Sequence, residues 1–128
     1  MIAETKKRSV LVVDDEEAIL FAFKDALSEP QVLIDTFSSI DEVRTVLSLK
    51  RYDGAVIDLR LSGTEGYEGF EVIKLVKEHN PSCRVILLTA YARPGIEDEA
   101  HATGADLFME KPVSPETVSN ALHSLWQA

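Results

Sequence analysis

Four apolar runs of the sequence each lead into a polar residue. Ser9–Val13 precedes Asp14 and Asp15, Ala55–Ile57 precedes Asp58, Val85–Leu88 precedes Thr89, and Leu107–Glu110 precedes Lys111. Short apolar runs separated by helical patterns are typical of buried parallel strands. The carboxyl ends of parallel strands share one sheet edge, and ligands bind along that edge. We therefore expect three carboxylates, a hydroxyl and an ammonium group to converge there from distant parts of the chain.

Strand and helix patterns alternate along the whole chain. The predicted strands are about Ser9–Val13, Gln31–Thr36, Ala55–Asp58, Arg84–Thr89 and Leu107–Glu110. The first predicted helix is about Glu16–Ser28, and the second begins at a capping box formed by Ser39 and Glu42. The third ends near His79, and the fourth runs from Pro94 to about Gly104. The fifth begins with Ser114 as its N-cap and Pro115 at its first helical position. Five βα units predict an α/β fold of one domain over residues 1–128. Its sheet is open, parallel and doubly wound, in strand order 2-1-3-4-5.

The charge and the cysteine content exclude several classes of protein. The formal net charge of −9 opposes direct binding of nucleic acid or an anionic membrane. No apolar run approaches the roughly 18 residues that a membrane span needs, so no membrane insertion is expected. Cys83 is the only cysteine, which rules out an internal disulfide and favours a reducing compartment.

The converging polar residues have a chemistry in common. Two unit charges about 4 Å apart repel by about 4 kcal/mol at an effective dielectric of about 20, so a carboxylate cluster needs a cation. An all-oxygen site favours Mg²⁺, with Mn²⁺ or Ca²⁺ as alternatives, and Mg²⁺ leaves room for a phosphoryl group. Lys111 and Thr89 suit phosphoryl oxygens, and Asp58 is the best nucleophile. Asp14 or Asp15 alone is equally explained as a cap of the first helix.

The chain resembles the receiver domain of bacterial two-component response regulators over essentially its whole length. The matching segments are Val12–Glu16, Val56–Leu59, Leu88–Ala90 and Glu110–Pro112. The resemblance implies that Asp58 accepts phosphate from a histidine kinase or a phosphotransfer protein. It implies that Asp15, Asp58 and the backbone carbonyl of Arg60 bind Mg²⁺, with Asp14 acting through water. Lys111 would pair with the phosphoryl group and with Asp58, and the Lys111–Pro112 bond would be cis.

The same resemblance implies a switch. The Thr89 hydroxyl would move toward the phosphoryl group, and Phe108 would turn inward into the space that it leaves. The surface of the fourth helix, fifth strand and fifth helix would then signal to a partner or a fused output domain. A phosphorylation-dependent homodimer and a cytoplasmic location are also compatible with the family. Phe108 as a plain core residue is the alternative.

The segment around residues 61–69 departs from the family pattern. Ser62 stands where family members commonly carry proline, and Glu68-Gly69 replaces Asp-Gly after about three extra residues. The glycines there predict flexibility. Arg60 and Tyr91, two residues after Asp58 and Thr89, are large enough to cover a phosphoryl group. We expect them to obstruct the water that would hydrolyse it.

Other functions fit the sequence less well than that of a receiver domain. A haloacid-dehalogenase-type phosphatase would usually have an aspartate where Arg60 stands, so we expect no turnover enzyme. The intact polar set argues against an interaction module that never takes phosphate. A flavin-binding role is disfavoured because Asp14 and its acidic neighbours would repel a phosphate. The chain is either a stand-alone regulator or a domain cut from a longer protein.

Overall fold

The sheet has the predicted architecture. A computed structural model describes residues 7–61 and 66–127 of the chain. Its five strands are β1 (Arg8–Val13), β2 (Val32–Phe37), β3 (Gly54–Asp58), β4 (Arg84–Thr89) and β5 (Leu107–Glu110). All neighbouring strands are parallel, in the order β2-β1-β3-β4-β5. The predicted α/β doubly wound fold is confirmed.

Five helices connect the strands and end the described chain. They are α1 (Glu17–Leu27), α2 (Ile40–Leu47), α3 (Glu68–His79), α4 (Ile96–Thr103) and α5 (Pro115–Gln127). The Ser39 side chain accepts a hydrogen bond from the Glu42 amide, and Ser114 Oγ accepts one from the Thr117 amide at 3.1 Å. Both predicted helix starts are therefore confirmed. Among the described residues, no helix has the length and apolar character to cross a membrane.

Side chains of alternate strand residues enter two cores, one on each face of the sheet. On one face, the cluster containing Leu11, Ile57 and Leu87 packs against α2, α3 and α4. On the other, the cluster containing Val12 and Val56 packs against α1 and α5. Because β1, β3 and β4 are buried almost throughout, both faces demand apolar side chains, and polar residues occur where the strands end.

Two backbone details lie at this end of the sheet. The Lys111–Pro112 peptide bond is cis, as predicted. The predicted start of the fourth helix at Pro94 is wrong, because α4 begins at Ile96. Gly95, between the proline and the helix, has a φ of 88°, a left-handed conformation that suits glycine. The helix therefore begins only after this turn.

Candidate functional site

A cavity of about 160 Å³ opens at the carboxyl edge of the sheet. Its lining residues are Asp15, Glu16, Asp58, Arg60, Ala90, Tyr91 and Lys111. In the register of the sheet, Val13 pairs with Ile57 and Asp58 pairs with Leu88, so β1, β3 and β4 end at nearly the same level. Glu110 of β5 pairs with Thr89 of β4, so Lys111 follows a strand that ends at the same level. The residues at the ends of these four strands therefore meet around one space, although Asp14 and Lys111 are 97 positions apart in the chain.

Lys111 joins two buried carboxylates at the base of this cavity. Its Nζ lies 2.9 Å from Asp14 Oδ2 and 3.5 Å from Asp58 Oδ1. The side chains of Asp14, Asp58 and Lys111 are only 3%, 10% and 15% exposed. The resemblance implied a pairing with Asp58, but the nearer partner is Asp14. One ammonium group thus faces two carboxylates in a site from which most water is excluded.

The charge balance alters the proton affinity of Asp58. The pKa of Asp58 is raised to about 6, first by burial and next by the negative charge of Asp14, while the charge of Lys111 and its hydrogen bond act in the opposite direction. Burial disfavours the Lys111 ammonium, but the hydrogen bond to Asp14 and the charges of both carboxylates leave its pKa above the ordinary value. The site therefore holds more negative charge than its own lysine compensates.

A group of three acidic side chains forms one wall. Carboxylate oxygens of Asp14, Asp15 and Glu16 all lie within 4.8 Å of one another. The donor set is entirely oxygen, which fits a hard divalent cation such as Mg²⁺. Glu16 was not predicted as a member of this group, although its position directly after the two aspartates was the signal available. Asp58 lies outside this trio but lines the same cavity.

Asp14 also orders the start of α1. Its Oδ1 accepts the Glu16 amide at 3.0 Å while Oδ2 faces Lys111. Glu16 is the N-cap residue, and its own side chain caps nothing. Asp14 is therefore not the N-cap of α1: one of its oxygens binds the amide of the N-cap residue, and the other belongs to the polar site.

Thr89 lies behind the cavity, one residue away from its lining. It is 1% exposed, and its Oγ1 accepts the Tyr91 amide at 3.0 Å. Phe108 pairs with Leu87 across β4 and β5 and packs against the core as a half-buried ring. In this conformation the Thr89 hydroxyl faces the segment that leads to α4.

A cation and an aromatic ring cover the cavity. The Arg60 guanidinium lies 4.1 Å from the centroid of the Tyr91 ring, a cation–π contact. Arg60 Nε is shielded from solvent and has no hydrogen-bond partner among the described residues. Tyr91 itself is 59% exposed, so the pair forms a polar roof between the cavity and solvent.

Gly69 permits β3 and α3 to approach closely beside Asp58. A Cβ atom at Gly69 would lie 2.6 Å from the carbonyl oxygen of Asp58 and 2.6 Å from Cα of Leu59. The Gly69 amide donates to the Leu59 carbonyl at 2.9 Å. The glycine content of residues 61–69 predicted flexibility, but Gly69 lies in the first turn of α3 and is tightly packed. Ser62 and Gly63 lie outside the described residues.

Replacing Asp58 by asparagine should stabilise the metal-free protein at neutral pH. Because the folded state raises the pKa of Asp58, its contribution to the free energy of unfolding is greatest below about pH 4 and falls as pH rises to about 6. We expect Asp58→Asn to gain about 1–2 kcal/mol at pH 7.5 and little at pH 4.5. Urea unfolding with a chelator measures this. Asp25→Asn, at an exposed position of α1, is the control, and a gain equal at both pH values would contradict the argument.

Comparison with known proteins links this site to a family. The profile of the response regulator receiver domain matches residues 10–123. The photosynthetic apparatus regulatory protein RegA of Cereibacter sphaeroides is 31% identical over 115 residues, which are 90% of this chain and 61% of RegA. The chain thus spans less than two thirds of that relative.

Solved structures share the fold. The BeF₃-activated receiver domain of DrrB, a Thermotoga maritima protein, has a TM-score of 0.82 at 24% identity, covering 95% of this chain and 99% of its own. A Burkholderia pseudomallei response regulator has a TM-score of 0.80 at 24% identity, covering 91% of this chain and 66% of its own. The latter structure contains a phosphorylated aspartic acid, a calcium ion and citrate.

Proposed function

The chain belongs to the response regulator receiver domain family, and from this we propose that it accepts a phosphoryl group on Asp58 in two-component signalling. The observation that carries the proposal is the position of Asp58. It is a buried carboxylate beside an open cavity, with Lys111 on one side and three acidic groups nearby. Relatives are response regulators, not enzymes acting on small substrates.

Asp58 is suited to act as the nucleophile. With its pKa near 6, it is largely ionised at neutral pH even without a metal. One carboxylate oxygen attacks the phosphorus of a partner's phosphohistidine; the new O–P bond forms as the N–P bond breaks, and the imidazole nitrogen keeps the electron pair. Lys111 is close enough to Asp58 to hold a phosphoryl oxygen after transfer.

The acidic edge is suited to a divalent cation, Mg²⁺ or alternatively Mn²⁺. Asp15, Asp58 and the Arg60 carbonyl would hold it, with Asp14 acting through water and Glu16 nearby. When bound, such a cation neutralises charge on the transferring phosphoryl oxygens. The excess negative charge described above supports this assignment, since a cation relieves it.

An apolar groove beside the site is suited to the phosphodonor. It has a volume of about 280 Å³ and shares Ala90 and Lys111 with the phosphoacceptor cavity. Its remaining lining residues are Ile19, Phe23, Leu88, Pro112 and Val113. A histidine kinase or phosphotransfer protein that packs an apolar side chain there would bring its histidine next to Asp58.

Signal output would proceed through Thr89 and Phe108. Attraction of the Thr89 hydroxyl toward a phosphoryl group would break its hydrogen bond to the Tyr91 amide and open space for the Phe108 ring. The surface of α4, β5 and α5 would then change shape toward a partner, an output domain or a second copy of the chain.

Beryllofluoride with Mg²⁺, which mimics the phosphoryl state, tests the switch. We expect the NMR resonances of Thr89, Tyr91 and Phe108 to shift in the wild type and to stay unchanged in Asp58→Asn. Shifts confined to the acidic trio would indicate metal binding without switching and would contradict the proposal.

Removing the roof should shorten the life of the phosphorylated state. Arg60→Ala and Tyr91→Ala each delete one half of the cation–π pair over the cavity, so water reaches the phosphorus more readily. We expect phosphate loss to accelerate about three- to tenfold, because the loss of an interaction of about 1 kcal/mol changes a rate by about that factor. Decay of phosphorylated protein by intact mass measures this, with Arg51→Ala, at an exposed position before β3, as control. Unchanged decay in both variants would rule the idea out.

A further inference from the structure

The segment between β4 and α4 is not held in place by core packing. Residues 90–95 join Thr89, the last residue of β4, to Ile96, the first residue of α4, and all six are exposed. A connection with so little buried surface depends on individual polar and ring contacts for its position. At its start, the ring of Tyr91 lies against the guanidinium of Arg60, which follows β3.

A second arginine–tyrosine pair holds the other end of this segment. Arg93 Nε donates a hydrogen bond to the Tyr67 hydroxyl at 3.1 Å, and the Arg93 guanidinium lies 5.2 Å from the Tyr67 ring centroid. Tyr67 immediately precedes α3, and its ring lies 6.0 Å, between centroids, from that of the core residue Phe70. We call the pair of Tyr67 and Arg93 the clasp. It ties the approach to α4 to the anchored start of α3.

Thr89 links the clasped segment to the switch. Its Oγ1 accepts the Tyr91 amide at 3.0 Å, so the hydroxyl is engaged by the segment that follows β4. Movement of this hydroxyl toward a phosphoryl group on Asp58 would break that bond, and the backbone after Thr89 would have to change direction. Arg93 lies on this same backbone, four residues after Thr89. The clasp is therefore formed in the conformation that precedes the switch, and it opposes the displacement that the switch requires.

We propose that the clasp of Tyr67 and Arg93 stabilises the resting conformation and thereby sets how readily phosphorylation of Asp58 switches the domain. The resting state makes both the hydrogen bond and the cation–π contact, and the switched state gives them up as residues 90–95 move. A ligand that needs the switched state binds more weakly in proportion to the rarity of that state. The inference rests on the proposed function, because it requires a switch driven from Asp58.

A titration with beryllofluoride at a fixed Mg²⁺ concentration tests the clasp. Tyr67→Phe keeps the ring and its contact with Phe70 but removes the hydroxyl that Arg93 binds. We expect the apparent affinity, followed through the NMR resonances of Phe108, to be about three- to tenfold tighter than in wild type, the range of one net hydrogen bond. The affinity for Mg²⁺ alone should stay as in wild type, because Tyr67 does not line the phosphoacceptor cavity.

A double-mutant cycle assigns the effect to the contact with Arg93. Arg93→Ala should also tighten beryllofluoride binding, and Tyr67→Phe should add little in that background, since the hydroxyl has already lost its donor. Two substitutions at the opposite edge of the sheet serve as controls. Tyr52→Phe removes a hydroxyl that bonds Asp35, and Arg51→Ala removes an exposed guanidinium. Both should bind beryllofluoride as wild type does.

The possible failures are distinguishable. A wild type whose Phe108 resonances do not respond to beryllofluoride refutes the proposed function itself. A wild type that responds, with an equal or weaker affinity in Tyr67→Phe, refutes only the clasp. Equal tightening with and without Arg93 also refutes the clasp, because the hydroxyl would then act on another group.

Discussion

Lys111→Met should lower the free energy of unfolding of the metal-free protein by about 3 kcal/mol at pH 7.5. The substitution keeps a long side chain but leaves two buried carboxylates, Asp14 and Asp58, without their shared cation. Removing one partner of a buried ion pair typically costs about 3–5 kcal/mol. Because the pKa of Asp58 is already raised, its protonation limits the loss of stability to the lower end of this range. Urea unfolding in a chelator measures it.

Two further variants identify the cause of the loss. Lys74→Met alters an exposed lysine of α3 and should change the stability by less than about 0.5 kcal/mol. Asp14→Asn combined with Lys111→Met should recover part of the loss, because one uncompensated charge disappears. Addition of Mg²⁺ should narrow the gap between Lys111→Met and wild type. A loss that neither the second substitution nor Mg²⁺ changes would contradict the electrostatic explanation.

Gly69→Ala should damage both stability and phosphate acceptance. The new methyl group would lie 2.6 Å from backbone atoms of Asp58 and Leu59, and a backbone cannot rotate away as a side chain does. Overpacking of this kind costs about 1–3 kcal/mol, more than the gain of about 1 kcal/mol from alanine in a helix. We expect a net loss of about 1–2 kcal/mol and slower phosphorylation of the displaced Asp58.

Gly66→Ala is the matched control for this prediction. Its Cβ would also meet a neighbour, at 2.5 Å, but that neighbour is the terminal Oε1 of the flexible Glu68 side chain. Rotation of Glu68 relieves the contact, so stability and phosphorylation should stay close to wild type. Equal damage from Gly66→Ala and Gly69→Ala would show that close packing against β3 is not the reason.

The sequence predicted what depends on strand order and failed where loop geometry decides. Apolar runs that end in Asp58 and Thr89 were sufficient to predict the sheet and the shared edge, because parallel strands leave few alternatives. The nearer pairing of Lys111 with Asp14 depends on side-chain directions across two strands, which periodicity does not encode. The start of α4 depends on the left-handed conformation of Gly95, which competed with the helix-start preference of Pro94.

The contacts of Arg60 were partly predictable. Its position two residues after Asp58 indicated that it would lie near a phosphoryl group. The contact between Tyr67 and the neighbouring Arg93 could not be predicted, because the connection before α3 has no regular pattern to place Tyr67. The prediction for Gly69 was wrong for a related reason. A glycine in a sequence indicates either a flexible backbone or a close approach of another segment, and only the position of the neighbouring backbone distinguishes the two.

Intact and peptide mass spectrometry after incubation with acetyl phosphate tests the central claim most directly. With Mg²⁺, the wild type should gain the mass of one phosphoryl group, located on Asp58, and a chelator should prevent the gain. Asp58→Asn should gain none, while Asp25→Asn should react like wild type. A phosphoryl group located on another residue, or an equal gain in Asp58→Asn, would contradict the assignment of Asp58 as the phosphoacceptor.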